Sequence, residues 1–86
     1  MTSSIEQRVR TLLSDNAHLQ ADVGTLSDNA DLYAAGLTSH ATVNLMLALE
    51  QAFDIEFPER LLRRGTFSSV SAIAAALAEI GVKGEG

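Results

Sequence analysis

The sequence predicts an all-α fold: a four-helix bundle of three substantial helices and a short third one, with a long loop between the first two. Three observations carry this expectation. Separate segments near the start, middle and end of the chain repeat apolar residues at helical spacing. Each begins beside a serine or threonine able to cap it. No stretch alternates apolar and polar residues for long enough to argue a sheet. With 86 residues, 47% hydrophobic and 20% charged, the chain is composed as one globular domain over 1–86 with a single core.

The first helix is expected over "SSIEQRVRTLLSDNA", residues 3–17, where Ile5, Val9, Leu12 and Leu13 share one face. Ser3 with Glu6, or Ser4 with Gln7, makes a capping box at its start. Its charges, Glu6, Arg8, Arg10 and Asp15 beside Gln7, read as a solvated face.

From about Ala17 to Thr38 the periodicity stops. Isolated apolar residues remain at Leu19, Val23, Leu26, Leu32, Tyr33 and Leu37, which read as pins holding a loop against the core. A connection this long inside a small domain is unusual and points to function. Ser27, Asp28 and Asn29 favour a turn within it. Tyr33 is expected to pin the loop with its hydroxyl in solvent.

The second helix is expected over Ser39 to Phe53, with Leu45, Leu49 and Phe53 at four-residue steps and Met46 beside them. Thr38 or Ser39 is its cap, and Asp54 ends it. Asn44, Ala48 and Gln51 fall on the other side. Leu45, Met46, Leu49 and Phe53, with Ile73 and Leu77, suit either a closed core or the lining of a small pocket, and core is the expected role. "IEFPERLLRRGTF", residues 55–67, has room for a short helix with Pro58 in its first turn and Gly65 just beyond its end. Arg60, Arg63 and Arg64 make it the one basic spot, expected as a solvated face rather than a docking site, although by position it could touch an anionic group or an acidic partner. The last helix is "SSVSAIAAALAEI", with Val70, Ile73, Leu77 and Ile80 on one stripe and Gly81 as its stop. Residues 81–86 read as a loose tail.

Composition narrows function. A net charge of -5 disfavours nucleic acid, whose binding rests on Lys and Arg. The chain has no cysteine, so it brings neither a disulfide nor a thiol of its own, and two separated histidines argue against a metal site. No apolar run is long enough for a bilayer and the N-terminus lacks a secretory hydrophobic region, so no membrane partner and a cytoplasmic location are expected.

The stretch "DLYAAGLTSHATV", residues 31–43, places Thr38, Ser39 and His40 at the start of the second helix. A nucleophilic serine needs a base that faces it, and neighbours on a helix point about 100° apart, so His40 does not serve Ser39. A hydrolase elbow would put glycine on both sides of the serine, and here one stands three residues before it. The serine is therefore not expected to be catalytic, and the chain is not expected to be an enzyme. A plain cap remains open. So does an anion site, because a helix start offers unpaired amides and the positive end of the dipole.

Residues 31–58, "DLYAAGLTSHATVNLMLALEQAFDIEFP", resemble the phosphopantetheine attachment region of acyl carrier and peptidyl carrier proteins. "SSIEQRVRTLL" and "TFSSVSAIAAAL" resemble the first and last helices of that family. The resemblance implies an acyl-carrier-like four-helix bundle in which Ser39 bears 4'-phosphopantetheine donated by coenzyme A. It further implies a stand-alone carrier whose arm holds an acyl or aminoacyl group as a thioester. Two positions depart from the family pattern: Thr38 stands where Asp or His is usual, and His40 where Leu is usual.

The implied partners are a phosphopantetheinyl transferase, an acyl- or aminoacyl-activating ligase and a downstream acyl transferase or synthase, with the carrier itself a monomer. Leu37, Thr38, His40, Val43 and Leu47 are the expected docking residues. The second helix carries only one charge, Glu50, so docking is expected to rest on apolar and shape contacts rather than an acidic strip. That points to a dedicated pathway of amino-acid activation or secondary metabolism rather than bulk fatty-acid synthesis. An unmodified helical interaction module and a protein phosphorylated at Ser39 are the rival classes.

Overall fold

The computed structural model describes residues 4–17, 19 and 23–81, Ser4 through its backbone alone. The expected capping box at Ser3 or Ser4, His18 and the tail beyond Gly81 lie outside the described residues. Three α-helices form, α1 (Ser4–Asn16), α2 (Ser39–Phe53) and α3 (Val70–Ile80). Among the described residues there is no strand.

Burial follows the apolar periodicity. Ile5, Val9 and Leu13 form the inner stripe of α1, Leu45 and Leu49 that of α2, and Val70, Ile73 and Leu77 that of α3. α1 packs against both other helices. Leu12, Met46, Phe53 and Ile80 are partly buried at the edges of the same core. Each fully buried Leu, Ile or Val contributes about 1.5–3 kcal/mol by leaving water, so this stripe pairing is what holds the bundle together.

The helix ends carry their expected caps. Thr38 Oγ1 accepts the Ala41 amide at 3.0 Å, and Ser69 Oγ accepts the Ala72 amide at 3.0 Å. α2 stops where Asp54 turns left-handed at φ 53°, a conformation that aspartate tolerates. α3 stops at Gly81, whose φ of 119° excludes a side chain, and its amide bonds back to Leu77 and Ala78.

The long loop is more ordered than its lack of period suggests. Val23–Thr25 is a single 3₁₀ turn, and Val23, Leu32 and Leu37 are buried, with Leu19, Leu26 and Tyr33 packed partly against the core. Arg10 of α1 donates to the Val23 carbonyl at 2.7 Å and to Asp28 Oδ1 at 2.6 Å. The other side is held by the start of α3: the Ser71 amide donates to the Asp28 carbonyl at 2.9 Å, and the Leu32 amide to the Ser68 carbonyl at 2.8 Å. Ser71 lies in the first turn of α3, where an amide has no partner within the helix, so the loop takes up a group that α3 leaves free.

The charged residues of α1 and α2 take on structural contacts, and for Arg10 the expectation of a solvated position is corrected. Arg10 is partly buried and braces the loop, while Arg8 stays exposed, as expected, and from the surface donates to the Ala52 carbonyl at 2.9 Å and lies 4.2 Å from the Phe53 ring centroid. Glu50, the lone charge of α2, is turned to structural use, its Oε2 accepting the Phe57 amide at 2.9 Å.

The segment after α2 forms two short 3₁₀ turns, Glu59–Leu61 and Arg64–Phe67, instead of one short helix. Pro58 precedes the first turn and Gly65 lies inside the second, not beyond the end. Leu61 and Phe67 are both buried. On a continuous helix, six steps of about 100° would point them to different sides. The extended backbone at Arg63 breaks the progression and lets both side chains turn inward. Phe67 meets Phe57 there, ring centroids 5.5 Å apart and tilted by 58°. Among the described residues no helix is long and apolar enough to cross a membrane.

Candidate functional site

The loop delivers Ser39 by way of a capped turn. Asp31 Oδ1 accepts the Tyr33 amide at 3.0 Å, and the Leu37 amide donates back to the Leu32 carbonyl at 2.9 Å across Gly36. The Gly36 amide donates to the Tyr33 carbonyl at 3.2 Å, and its φ is 117°. This pair of bonds closing over a left-handed glycine is the arrangement that ends many helices. It reverses the chain, drops Leu37 into the core and starts α2 immediately afterwards.

Of the two hydroxyls that were candidates for the cap, Thr38 takes the role. Thr38 is the N-cap, and its carbonyl also accepts the Thr42 amide at 2.9 Å and the Thr42 hydroxyl at 2.7 Å. Ser39 is the first residue of α2, exposed, and among the described residues none takes up its hydroxyl. The Ala41 amide is satisfied by Thr38, which leaves the Ser39 and His40 amides as the unpaired donors of the first turn. An anion bonded through Ser39 Oγ would stand in front of those donors and the positive end of the helix dipole.

Beside Ser39 lies a groove of about 300 Å³. Thr42, Val43 and Met46 of α2 form one wall, and Leu62, Arg63, Arg64 and Phe67 the other, with Tyr33 between them. Its lining mixes apolar residues with two arginines. Tyr33 does not leave its hydroxyl in solvent as expected: it donates to the Arg64 carbonyl at 2.8 Å. The Arg64 guanidinium carbon lies 3.8 Å from the centroid of the Tyr33 ring. Arg60, the third residue of the basic spot, points elsewhere and pairs with Glu79 at 2.7 Å.

The expected docking residues divide. Val43 and Leu47 are 51% and 46% exposed, and they share a face of α2 with the exposed His40. Leu37 is 4% exposed, a core residue and not a docking one, because Gly36 turns it inward. Thr38 is exposed with its hydroxyl committed to the cap. Leu62, 48% exposed, was not among the expected residues and extends the apolar patch from Val43 across the groove. Leu45, Leu49, Ile73 and Leu77 are core, as expected, while Met46 sits half in the core and half in the groove wall. No local period marks Leu62, Arg63 or Phe67 as neighbours of Ser39, since they arrive from the irregular segment after α2.

Residues 7–77 match the family model for the phosphopantetheine attachment site. The chain belongs to that family. Its working group is therefore 4'-phosphopantetheine, and its role is that of a carrier in acyl or aminoacyl transfer. Among curated proteins, this carrier is 54% identical over 65 residues to the aminoacyl carrier protein of Agrobacterium fabrum, covering 76% of this chain and 78% of that one. Among solved structures it resembles a chain in the complex of an engineered Bradyrhizobium japonicum glycine:[carrier protein] ligase with a carrier protein from Agrobacterium tumefaciens and ATP. That likeness has a TM-score of 0.85 at 47% identity, over 88% of this chain and 99% of that chain. It also resembles a chain in the complex of the Bradyrhizobium japonicum ligase with glycylated carrier protein, with a TM-score of 0.65 at 34% identity, over 85% of this chain and 93% of that one.

The residues present suit the family's cofactor. An exposed hydroxyl without a structural duty, two unpaired helix amides and a neighbouring pair of arginines fit a phosphodiester bonded to Ser39. When bound, the group supplies a terminal thiol that holds a carboxylic acid as a thioester.

Proposed function

We propose that Ser39 bears the 4'-phosphopantetheine arm and that the arm carries an amino acid, loaded by an aminoacyl-activating ligase. The observation that carries the attachment site is the division of labour at the start of α2. Thr38 caps the helix, and Ser39, one residue on, keeps an exposed and uncommitted hydroxyl. The chain's own residues hold the site: the capped turn over 31–37 aims it, the first-turn amides face the phosphodiester, and the rigid helix fixes its direction.

The aminoacyl cargo is supported by the 54% identity to an aminoacyl carrier protein and by the structural likeness to carriers bound to a glycine:[carrier protein] ligase. The exposed surface of α2 supports such a partner. His40, Val43 and Leu47 line one face without a carboxylate among them, and Leu62 continues it. A ligase docking here meets apolar surface and shape rather than an acidic strip. The carrier itself performs no chemistry in this scheme; transferase, ligase and acceptor enzyme supply it, in the cytoplasm.

Intact mass after incubation with coenzyme A, magnesium and a phosphopantetheinyl transferase tests the attachment. The wild type gains one phosphopantetheinyl group and Ser39→Ala gains none. Adding ATP, glycine and a glycine:[carrier protein] ligase then adds one glycyl residue to the modified chain. Absence of the first gain would leave an unmodified helical interaction module as the better description. A first gain without the second, for any amino acid offered, would return the cargo to the acyl class.

A further inference from the structure

Charge at the groove beside Ser39 is one-sided. Arg63 and Arg64 both line it, and no carboxylate is among its lining residues. Among the described residues neither arginine has an ion-pair partner, whereas Arg60 is neutralised by Glu79 at 2.7 Å. The start of α2 adds the positive end of its dipole to the same space. The chain as a whole is acidic, at -5, so this concentration of positive charge is local and does not follow from composition.

Apart from the hydroxyl residues Ser39 and Thr42 at its α2 end, the remaining lining is apolar or aromatic: Tyr33, Val43, Met46, Leu62 and Phe67. At about 300 Å³ the groove stands at the lower end of the range of roughly 300–1,000 Å³ typical of small-ligand sites. It would accommodate a short acyl group folded back on its arm. A cargo with a protonated amine faces a different balance. Entering the groove, it would lose water and meet two exposed guanidinium-bearing residues of its own sign, of whose two charges the single charge of the arm's phosphodiester offsets one, with no acceptor carboxylate in the lining.

We propose that Arg63 and Arg64 make this groove a charge-selective subsite: it admits neutral or anionic acyl groups on the arm and turns away an aminoacyl group. The inference rests on Ser39 bearing the arm. Its consequence is that an amino acid, once loaded, is presented in solvent where a downstream enzyme reaches it. A misloaded short acyl group is instead drawn against Met46 and Phe67. The arginines act as specificity-determining residues by charge and not by shape. The Tyr33 hydroxyl bonds the Arg64 backbone, so removing the Arg64 guanidinium leaves that tie in place while giving up its contact with the Tyr33 ring, which a change at Arg63 alone preserves.

The test compares glycyl and propionyl groups, which have nearly the same size and differ in whether an ammonium or a methyl group ends the chain. Each is attached to the arm through an amide in place of the thioester, loaded from the matching coenzyme A analogue and verified by intact mass. Amide chemical shifts are then referred to the form with the bare arm. The propionyl form is expected to shift Met46, Leu62 and Phe67 at least several-fold more than the glycyl form, and a succinyl form to shift them as much as propionyl or more. In Arg63→Gln with Arg64→Gln, the glycyl form is expected to approach the propionyl pattern, and Arg63→Glu alone is expected to move it the same way. Equal shifts for glycyl and propionyl in the wild type would overturn the proposal, as would a glycyl pattern unchanged in the arginine variants. A missing mass gain at loading would instead overturn the assignment of Ser39 and the groove proposal with it.

Discussion

Tyr33 and Arg64 hold each other twice, the tyrosine hydroxyl donating to the Arg64 carbonyl at 2.8 Å while the Arg64 guanidinium lies 3.8 Å from the Tyr33 ring centroid. The pair joins the loop that delivers Ser39 to the irregular segment after α2, and so sets the width of the groove between them. Tyr33→Phe keeps the ring and removes the hydrogen bond. Because the site is exposed, the expected loss is at the lower end of about 0.5–1.5 kcal/mol, read from urea unfolding. Tyr33→Ala removes both contacts and should cost more. A Tyr33→Phe loss as large as that of Tyr33→Ala would show that the ring contributes nothing.

Thr38 and Ser39 are adjacent hydroxyls with separate duties. Thr38→Ala removes the acceptor of the Ala41 amide and is expected to cost ~1 kcal/mol of stability, while Thr38→Ser retains the cap. Ser39→Ala should leave the unfolding midpoint of the unmodified protein almost unchanged and abolish modification. If Ser39→Ala were the more destabilising change, the assignment of the cap to Thr38 would be wrong.

Glu50 carries the only charge on α2, yet its Oε2 is bonded to the Phe57 amide at 2.9 Å. Glu50→Ala leaves that part-buried amide without its acceptor, with an expected loss of about 1–3 kcal/mol in denaturant unfolding. Ligase affinity, measured at a temperature where the variant is folded, should change little. A large loss of affinity without loss of stability would make Glu50 a docking residue after all.

Leu37 and the pair Val43 and Leu47 should respond in opposite ways. Leu37→Ala opens a cavity in the core and is expected to cost about 2–5 kcal/mol of stability. Val43→Ala and Leu47→Ala remove half-exposed side chains, so stability should hold while the KM for the carrier in ligase loading rises several-fold. Moderate salt should move that KM only slightly, because docking rests on apolar contact and the screened charges are few. A steep salt dependence would place the interface on charged residues instead.

The three α-helices could be read from the chain because each buries a stripe at a regular spacing, and the boundaries of α2 and α3 are set by residues with local effect. Thr38, Asp54, Ser69 and Gly81 act on the backbone within a turn or so of themselves. Ser39 was legible for the same reason, since its position depends only on where α2 begins. The loop pins were legible as apolar residues, but not the turn over 31–37 built from Asp31 and Gly36, which is one turn long and shows no repeat.

Tertiary structure decided whatever depends on distant partners. The sequence marks Arg8, Arg10, Glu50 and Arg64 only as charged. Their roles come from Phe53, Asp28, Phe57 and Tyr33, each brought into reach by the packing of the helices and the loop. The fate of Leu37 followed from the left-handed turn at Gly36, and the break after Leu61 followed from the need to bury Leu61 and Phe67 together. Local chemistry therefore determined the helices, their caps and the placement of Ser39. The groove beside that serine, and the positive charge gathered there, exist only because two irregular segments about thirty residues apart in the chain close against the same helix end.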